Sequence, residues 1–174
     1  MSLLRGVNVG GGNRVAMPAL RAVYEGLGAT SVTTYLQSGN VILASADQPD
    51  DLSTRAAAAI ERALGLRIKV LGRTHAALER IVETNPYPGV PDTSHHVVFL
   101  AGPISSAGLS TLERLKTEGE AFTVVDGELH LYQPDGLGRS KLGQALTERQ
   151  LGVVPTARNW RTVVQLSELS GRQP

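Results

Sequence analysis

Apolar residues recur along the chain with two periods, close to 3.6 and close to 2, and each change of period marks a new element. Leu3 and Leu4 open a short buried strand. In "MPALRAVYEGLG", Met17, Leu20, Val23, Tyr24 and Leu27 recur at helical spacing, with Pro18 in the first turn and Gly28 just past the end. "VTTYLQSGNVIL" is two β-rich runs joined across Gly39-Asn40, a tight-hairpin signal. "DDLSTRAAAAIERALG" is a helix with acids in its first turn and Gly65 at its end, and "RIKVL" is a further strand. The order βαββαβ predicts a ferredoxin-like split βαβ subdomain over residues 1–72.

Thr74 can cap a helix over "HAALERIVETN" that Pro86 stops. With the "NPYPGVPD" stretch behind it, this connecting helix and proline-rich linker fills residues 73–91 and is the best boundary in the chain. Residues 92–174 then read as a second α/β subdomain. "HHVVFLA" is a strand, and "LSTLERLKTEG" is a helix carrying Leu109, Leu112 and Leu115 on one side. "AFTVVDGELHLY" is a hairpin across Asp126-Gly127, a dipeptide suited to a type I′ turn. "RSKLGQALTERQLG" and "ARNWRTVVQLSEL" are helices, so this half reads βαββα plus a C-terminal helix. The fold class is therefore α+β, as two packed α/β subdomains.

Composition narrows the function classes. The chain has 174 residues, enough to bury roughly 70% of its unfolded surface. It contains no cysteine, which removes disulfides, thiolate nucleophiles and cysteine-based zinc sites. No apolar run approaches about 18 residues and no signal-peptide pattern opens the chain, so the expectation is a cytoplasmic protein with no membrane partner. The net charge of +1 hides an asymmetry. Arg5, Arg14 and Arg21 precede the first acid, Glu25, and residues 136–167 hold Arg139, Lys141, Arg149, Arg158 and Arg161 against only Glu148. Two basic segments around a more acidic middle suggest a local positive field, unless folding scatters them over different faces.

Three stretches offer chemistry. In "LLRGVNVGGGNRV", Gly6 and Gly11 have P-loop spacing, but Gly12-Asn13 stands where Lys-Ser/Thr belongs, so nucleotide hydrolysis has lost its parts. Glycines ahead of a helix start still let backbone N–H groups converge on an anion, with Arg5, Asn8, Asn13 and Arg14 as further donors. A plain connector needing positive φ explains the same residues. "DGLGRSKLG" repeats the offer. Arg139 and Lys141 flank Ser140 at a helix start, where cations oppose the macrodipole unless an anion binds; Ser140 as a simple N-cap is the alternative. "TARNWRT" spaces Arg158 and Arg161 three apart, on one helix face, around Asn159 and Trp160. The arginines are expected to face outward and Trp160 to anchor the core. "QSGN" is first a hairpin turn, whose Gln37, Ser38 and Asn40 matter if they project toward the glycine loops.

Catalytic templates fail. No G-x-S-x-G elbow or β-lactamase-like S-x-x-K pair is present. His75, His95, His96 and His130 lack metal-ligand spacing, and a strand would send His95 and His96 to opposite faces. No metal and no cofactor is expected.

"LLRGVNVGGGNRVAMPALR", "TYLQSGNVILAS", "HHVVFL", "YQPDGLGRSKL" and "TARNWRTVVQL" together resemble an uncharacterised bacterial family, domain of unknown function 1697. The likeness covers nearly the whole chain in the same motif order. It implies two α/β subdomains and carries no settled activity. Gly12 stands where the family usually has lysine and Gln165 where it often has lysine, which implies a weaker positive field here. The start "MSLLRG" is a few residues shorter than usual, which implies a trimmed first strand.

The leading expectation is binding of a phosphate-bearing ligand, a nucleotide or nucleic acid, in a basic cleft between the subdomains. Its residues would be Arg5, Asn8, Gly11, Gly12, Asn13, Arg14, Gln37, Ser38, Asn40, Arg139, Ser140, Lys141, Arg158, Asn159 and Arg161. An enzyme acting on a phosphorylated small molecule, with Lys141 or an arginine stabilising developing charge, is a second reading. A structural or partner-binding module is a third.

Overall fold

The computed structural model describes residues 1–10 and 12–172. The chain divides into two compact units, Met1–Leu78 with Leu166–Pro174, and Glu79–Gln165. The first contains β1 (Ser2–Leu4), α1 (Met17–Gly26), β2 (Thr30–Tyr35), β3 (Asn40–Ala44), α2 (Pro49–Leu64) and β4 (Val70–Gly72). Its antiparallel sheet runs β2-β3-β1-β4, so each helix crossover straddles one intervening strand. Register pairs Ser2 with Val41, which puts Leu4, Val41 and Leu43 on one face. There they pack on Leu20 and Tyr24 of α1 and on Leu52, Ala56 and Ile60 of α2. Each large aliphatic side chain buried here contributes about 1.5–3 kcal/mol. α3 (His75–Glu83) follows, its first turn capped by the Thr74 hydroxyl on the Ala77 N–H.

The second unit holds β5 (His95–Leu100), α4 (Ser106–Leu115), β6 (Ala121–Val125), β7 (Glu128–Tyr132), α5 (Lys141–Gln144), α6 (Glu148–Leu151), β8 (Pro155–Asn159) and the start of α7 (Trp160–Ser170). Its antiparallel sheet runs β6-β7-β5-β8, the first sheet's order with four added to each strand number. Val98, Leu100, Leu129 and Leu131 bury one face against Leu112, Leu142 and Leu151 of α4, α5 and α6. At the β6–β7 turn Asp126 and Gly127 both take positive φ, as a type I′ turn requires.

The mixed α/β architecture is the expected one, with two differences in the second half. Residues 155–159 form a strand rather than the start of the last helix. Pro155 suits the opening of an edge strand, and β8 pairs along β5 from Leu100↔Pro155 to His96↔Asn159. The helix expected over residues 139–152 is two short ones, because Thr147 caps a new start at α6. Both halves therefore share the order βαββαβα once α5 and α6 are counted as one interrupted helix.

Equal order makes the connections comparable. From β1 to α1 the chain uses residues 5–16, whereas the matching link from β5 to α4 needs only residues 101–105. The β2–β3 turn spans residues 36–39, against Asp126-Gly127 alone in the second unit. α4 is capped by Ser105, whose hydroxyl accepts from the Gly108 N–H, while α1 has no side-chain cap at Ala16. The first unit has thus lengthened two loops at one end of its sheet and left the adjoining helix start open.

At α5 the backbone of Gly143 lies so close to residue 137 that an added Cβ would stand 1.9 Å from the Leu137 carbonyl oxygen. Gly143→Ala should lower the unfolding free energy by at least about 2 kcal/mol, since backbone cannot yield as a side chain does. Gly138→Ala, with open space around it, should leave the denaturant midpoint nearly unchanged.

Candidate functional site

The long β1–α1 loop is held by two asparagines in left-handed backbone, Asn8 at φ 53° and Asn13 at φ 37°, a conformation their short polar side chains favour. The Asn8 side chain donates from Nδ2 to the Val15 carbonyl at 3.0 Å and to the Gln37 carbonyl at 2.9 Å. Its Oδ1 accepts from the Val15 N–H at 3.0 Å. Asn13 Nδ2 donates to the Gly6 carbonyl, and the Asn8 N–H bonds the Asn13 carbonyl. Val7 and Val15 are buried in the core beneath, so the loop is anchored at both ends and pinned to the β2–β3 turn.

These bonds change the expected roles. Both Nδ2 hydrogens of Asn8 are engaged, which removes it from the ligand donors. Asn40 is fully buried and donates to the Tyr35 carbonyl at 2.8 Å and to Ser38 Oγ at 3.1 Å, so it and Ser38 serve the hairpin. The hairpin turn itself is residues 36–39, with Asn40 already in β3. Gly39 is forced there: it has φ 76°, and an added Cβ would sit 2.7 Å from the Leu4 Cβ. Gln37 contributes its carbonyl to Asn8 and keeps an exposed side chain. Arg14, Gly12 and Asn13 are exposed, and Arg5 is half-exposed. Gly12, Arg14, Val15, Ala16 and Asn8 line a cavity of about 560 Å³ at the open start of α1. Gly11 lies outside the described residues.

In the second unit the candidates separate. The Ser140 hydroxyl is an N-cap, accepting from the Leu142 and Gly143 N–H groups. Arg139 and Lys141 stand exposed beside it. Arg158 is not on a helix. It lies in β8 opposite Val97, on the face away from α4, α5 and α6, while its neighbour Ala157 packs into the helix-covered core. Its guanidinium is buried, not outward, and donates to Thr156 Oγ1 at 3.0 Å and to the Ala157 carbonyl at 2.8 Å. Burial lowers its pKa to about 10, so it stays charged at neutral pH. Asn159 Oδ1 accepts from the Thr162 N–H at the start of α7, and Arg161 is exposed. α5, with Ser140 at its start, and Arg158 therefore belong to opposite faces of one sheet.

A histidine pair escaped the spacing rules. His95 Nε2 and His130 Nδ1 are 3.1 Å apart, on neighbouring strands of the face opposite α4. Trp160 stacks on His95 at 4.5 Å between ring centroids, and Tyr87 meets it edge-on at 5.4 Å. One imidazole must donate and the other accept, which leaves one N–H and one lone pair at the outer nitrogens, His95 Nδ1 and His130 Nε2. Both are buried without a hydrogen-bond partner among the described residues. Burial pushes each pKa down to about 4, helped for His95 by the neighbouring His130 and His96. The β-rich runs "HHVVFL" and "ELHLY" place each histidine on a strand, but only the strand pairing brings them together.

A family model for a protein of unknown function (DUF1697) matches residues 1–130. The chain belongs to the DUF1697 family. Among solved structures, this DUF1697 protein is similar to the conserved bacterial protein SP0830 from Streptococcus pneumoniae, with a TM-score of 0.72 and 20% identity over 97% of this chain and 96% of that one. At that identity the likeness establishes the fold. No curated protein matches the sequence. No helix among the described residues is long and apolar enough to cross a membrane.

Two outcomes follow for this DUF1697 protein. Asn8→Ala removes three hydrogen bonds at once and should cost about 2–3 kcal/mol in chemical denaturation, at roughly 1 kcal/mol per bond. Acid should weaken the fold through the histidine pair. The unfolded imidazoles titrate near 6.5 and the folded ones near 4, so between those values the unfolded state binds more protons. The stabilisation is complete above about pH 6.5 and is lost progressively as pH falls toward 4. Urea midpoints measured from pH 7 to pH 4 check this, and a flat profile contradicts it.

Proposed function

We propose that the β1–α1 loop binds a phosphate-bearing small molecule, with the Arg14 guanidinium and the backbone amides at the start of α1 as its donors. The length comparison between the two units carries this reading. The second unit closes the same junction in five residues with a capped helix, so the fold alone does not call for a twelve-residue arginine-bearing loop ahead of an uncapped one. An uncapped helix start presents free N–H groups and partial positive charge to an anion. The adjoining cavity of about 560 Å³ falls in the range of small-molecule pockets, about 300–1,000 Å³, and exceeds what a bare phosphate fills. A small phosphate ester is favoured over single-stranded nucleic acid. Two of the aromatics that a nucleic-acid strand could stack on are engaged elsewhere, Trp160 on His95 and Tyr87 on His95 and Thr123.

Amide spectra recorded during titration with inorganic phosphate and with adenosine monophosphate test the reading. Shifts should concentrate at Gly12, Arg14 and Met17, the nucleotide should bind more tightly than phosphate, and Arg14→Ala should weaken it about tenfold, the loss expected for one charge-assisted hydrogen bond. Uniformly silent loop amides at millimolar ligand would overturn it.

A further inference from the structure

Among the described residues three large apolar side chains are strongly exposed, and two of them, Val9 at 55% and Leu36 at 53%, sit on the two pinned loops of the first unit. Each lies one residue from a partner in the 2.9 Å bond between Asn8 Nδ2 and the Gln37 carbonyl, so the two loops that carry them are tied together. Leu36 also adopts φ 57°, a conformation that disfavours leucine and suits asparagine or glycine. An exposed leucine in that conformation gains nothing for the fold by burial.

The charge carried by the connections at this end has one sign. The connections that end here, residues 5–16, 36–39 and 65–69, contain Arg5, Arg14, Arg67 and Lys69 and no aspartate or glutamate. The Arg5 N–H bonds the Lys69 carbonyl, which ties the third connection to the first. Arg67 is engaged by Glu61, while Arg14 and Lys69 are exposed.

We propose that this end of the first unit is a surface-docking site for an anionic lipid bilayer, in which Val9 and Leu36 enter the headgroup–acyl boundary while Arg5, Arg14 and Lys69 meet lipid phosphates. Peripheral attachment needs no spanning helix. The aliphatic tips decide the occupant. Two protruding side chains cannot cover the roughly 800 Å² per partner of a stable protein interface, whereas a fluid bilayer requires no matching shape. Neither tip is aromatic, so neither offers the stacking platform a nucleic-acid strand uses. Basic residues next to an anionic leaflet and apolar side chains inserted into it act together, and both are needed for more than marginal attachment. The site goes beyond the phosphate-ester reading, since neither Val9 nor Leu36 lines that cavity.

Vesicle co-sedimentation of the full chain tests it, with phosphatidylcholine vesicles, phosphatidylcholine–phosphatidylglycerol vesicles and a single-stranded oligonucleotide as separate arms. Partition onto the anionic vesicles should exceed that onto neutral ones at least tenfold and fall as salt rises. Val9→Ser with Leu36→Asn should reduce it at least tenfold. Asparagine suits the backbone at 36, so the melting temperature should hold or rise. Adenosine monophosphate binding to the loop should be unchanged in that variant, which separates failure here from failure of the phosphate-ester reading. Equal partition onto both vesicle types, no partition, unchanged partition of the double variant, or oligonucleotide binding without vesicle binding would each overturn the proposal.

Discussion

The carboxamide of Asn8 is the constraint on which the candidate site depends. Its three hydrogen bonds close the β1–α1 loop onto Val15 and fasten it to a turn 29 residues away. A glycine-rich segment of this length would otherwise carry a large conformational entropy, and its backbone amides would point in many directions. With Asn8 in place the loop has a fixed entry, a fixed exit and a lateral tie. The arginines at its two ends are thereby presented from a defined frame.

The repetition of one strand order shows which parts of the first unit are scaffold. Where the two units agree, in strand order and in helices laid on one face, the common fold accounts for the residues. Where they differ, each unit has lengthened a different link. The first extends β1–α1, and the second extends the link between β7 and α5, residues 133–140 against residues 45–48 in the first. That second extension is turned inward: its serine caps a four-residue helix, and Gly143 of that helix is wedged against its Leu137. Two loops that look alike on paper, both rich in glycine and arginine, differ in where their polar groups go.

That difference marks the boundary of what the sequence discloses. Helical periodicity located α1 and α2, Thr74 identified its helix start, and Asp126-Gly127 identified its turn, because each is decided by neighbours in the chain. β8 was obscured because a short edge strand beginning with proline and carrying a buried arginine has no alternating apolar signature. Asn8 and Asn40 read as donors for a ligand because nothing local reveals a partner carbonyl supplied by another segment. The pairing of His95 with His130 depends on register between β5 and β7, which no spacing rule contains.

The first unit is not contiguous: residues 166–174 belong with Met1–Leu78, and α7 passes from one unit to the other within its length. A cut in the proline-rich stretch, inviting as it looks, would therefore not release two self-sufficient halves. The amino-terminal fragment would lack the segment from Leu166 onward, which is supplied from beyond the second unit. Completion of the first unit thus waits until the distal half of α7 has been made.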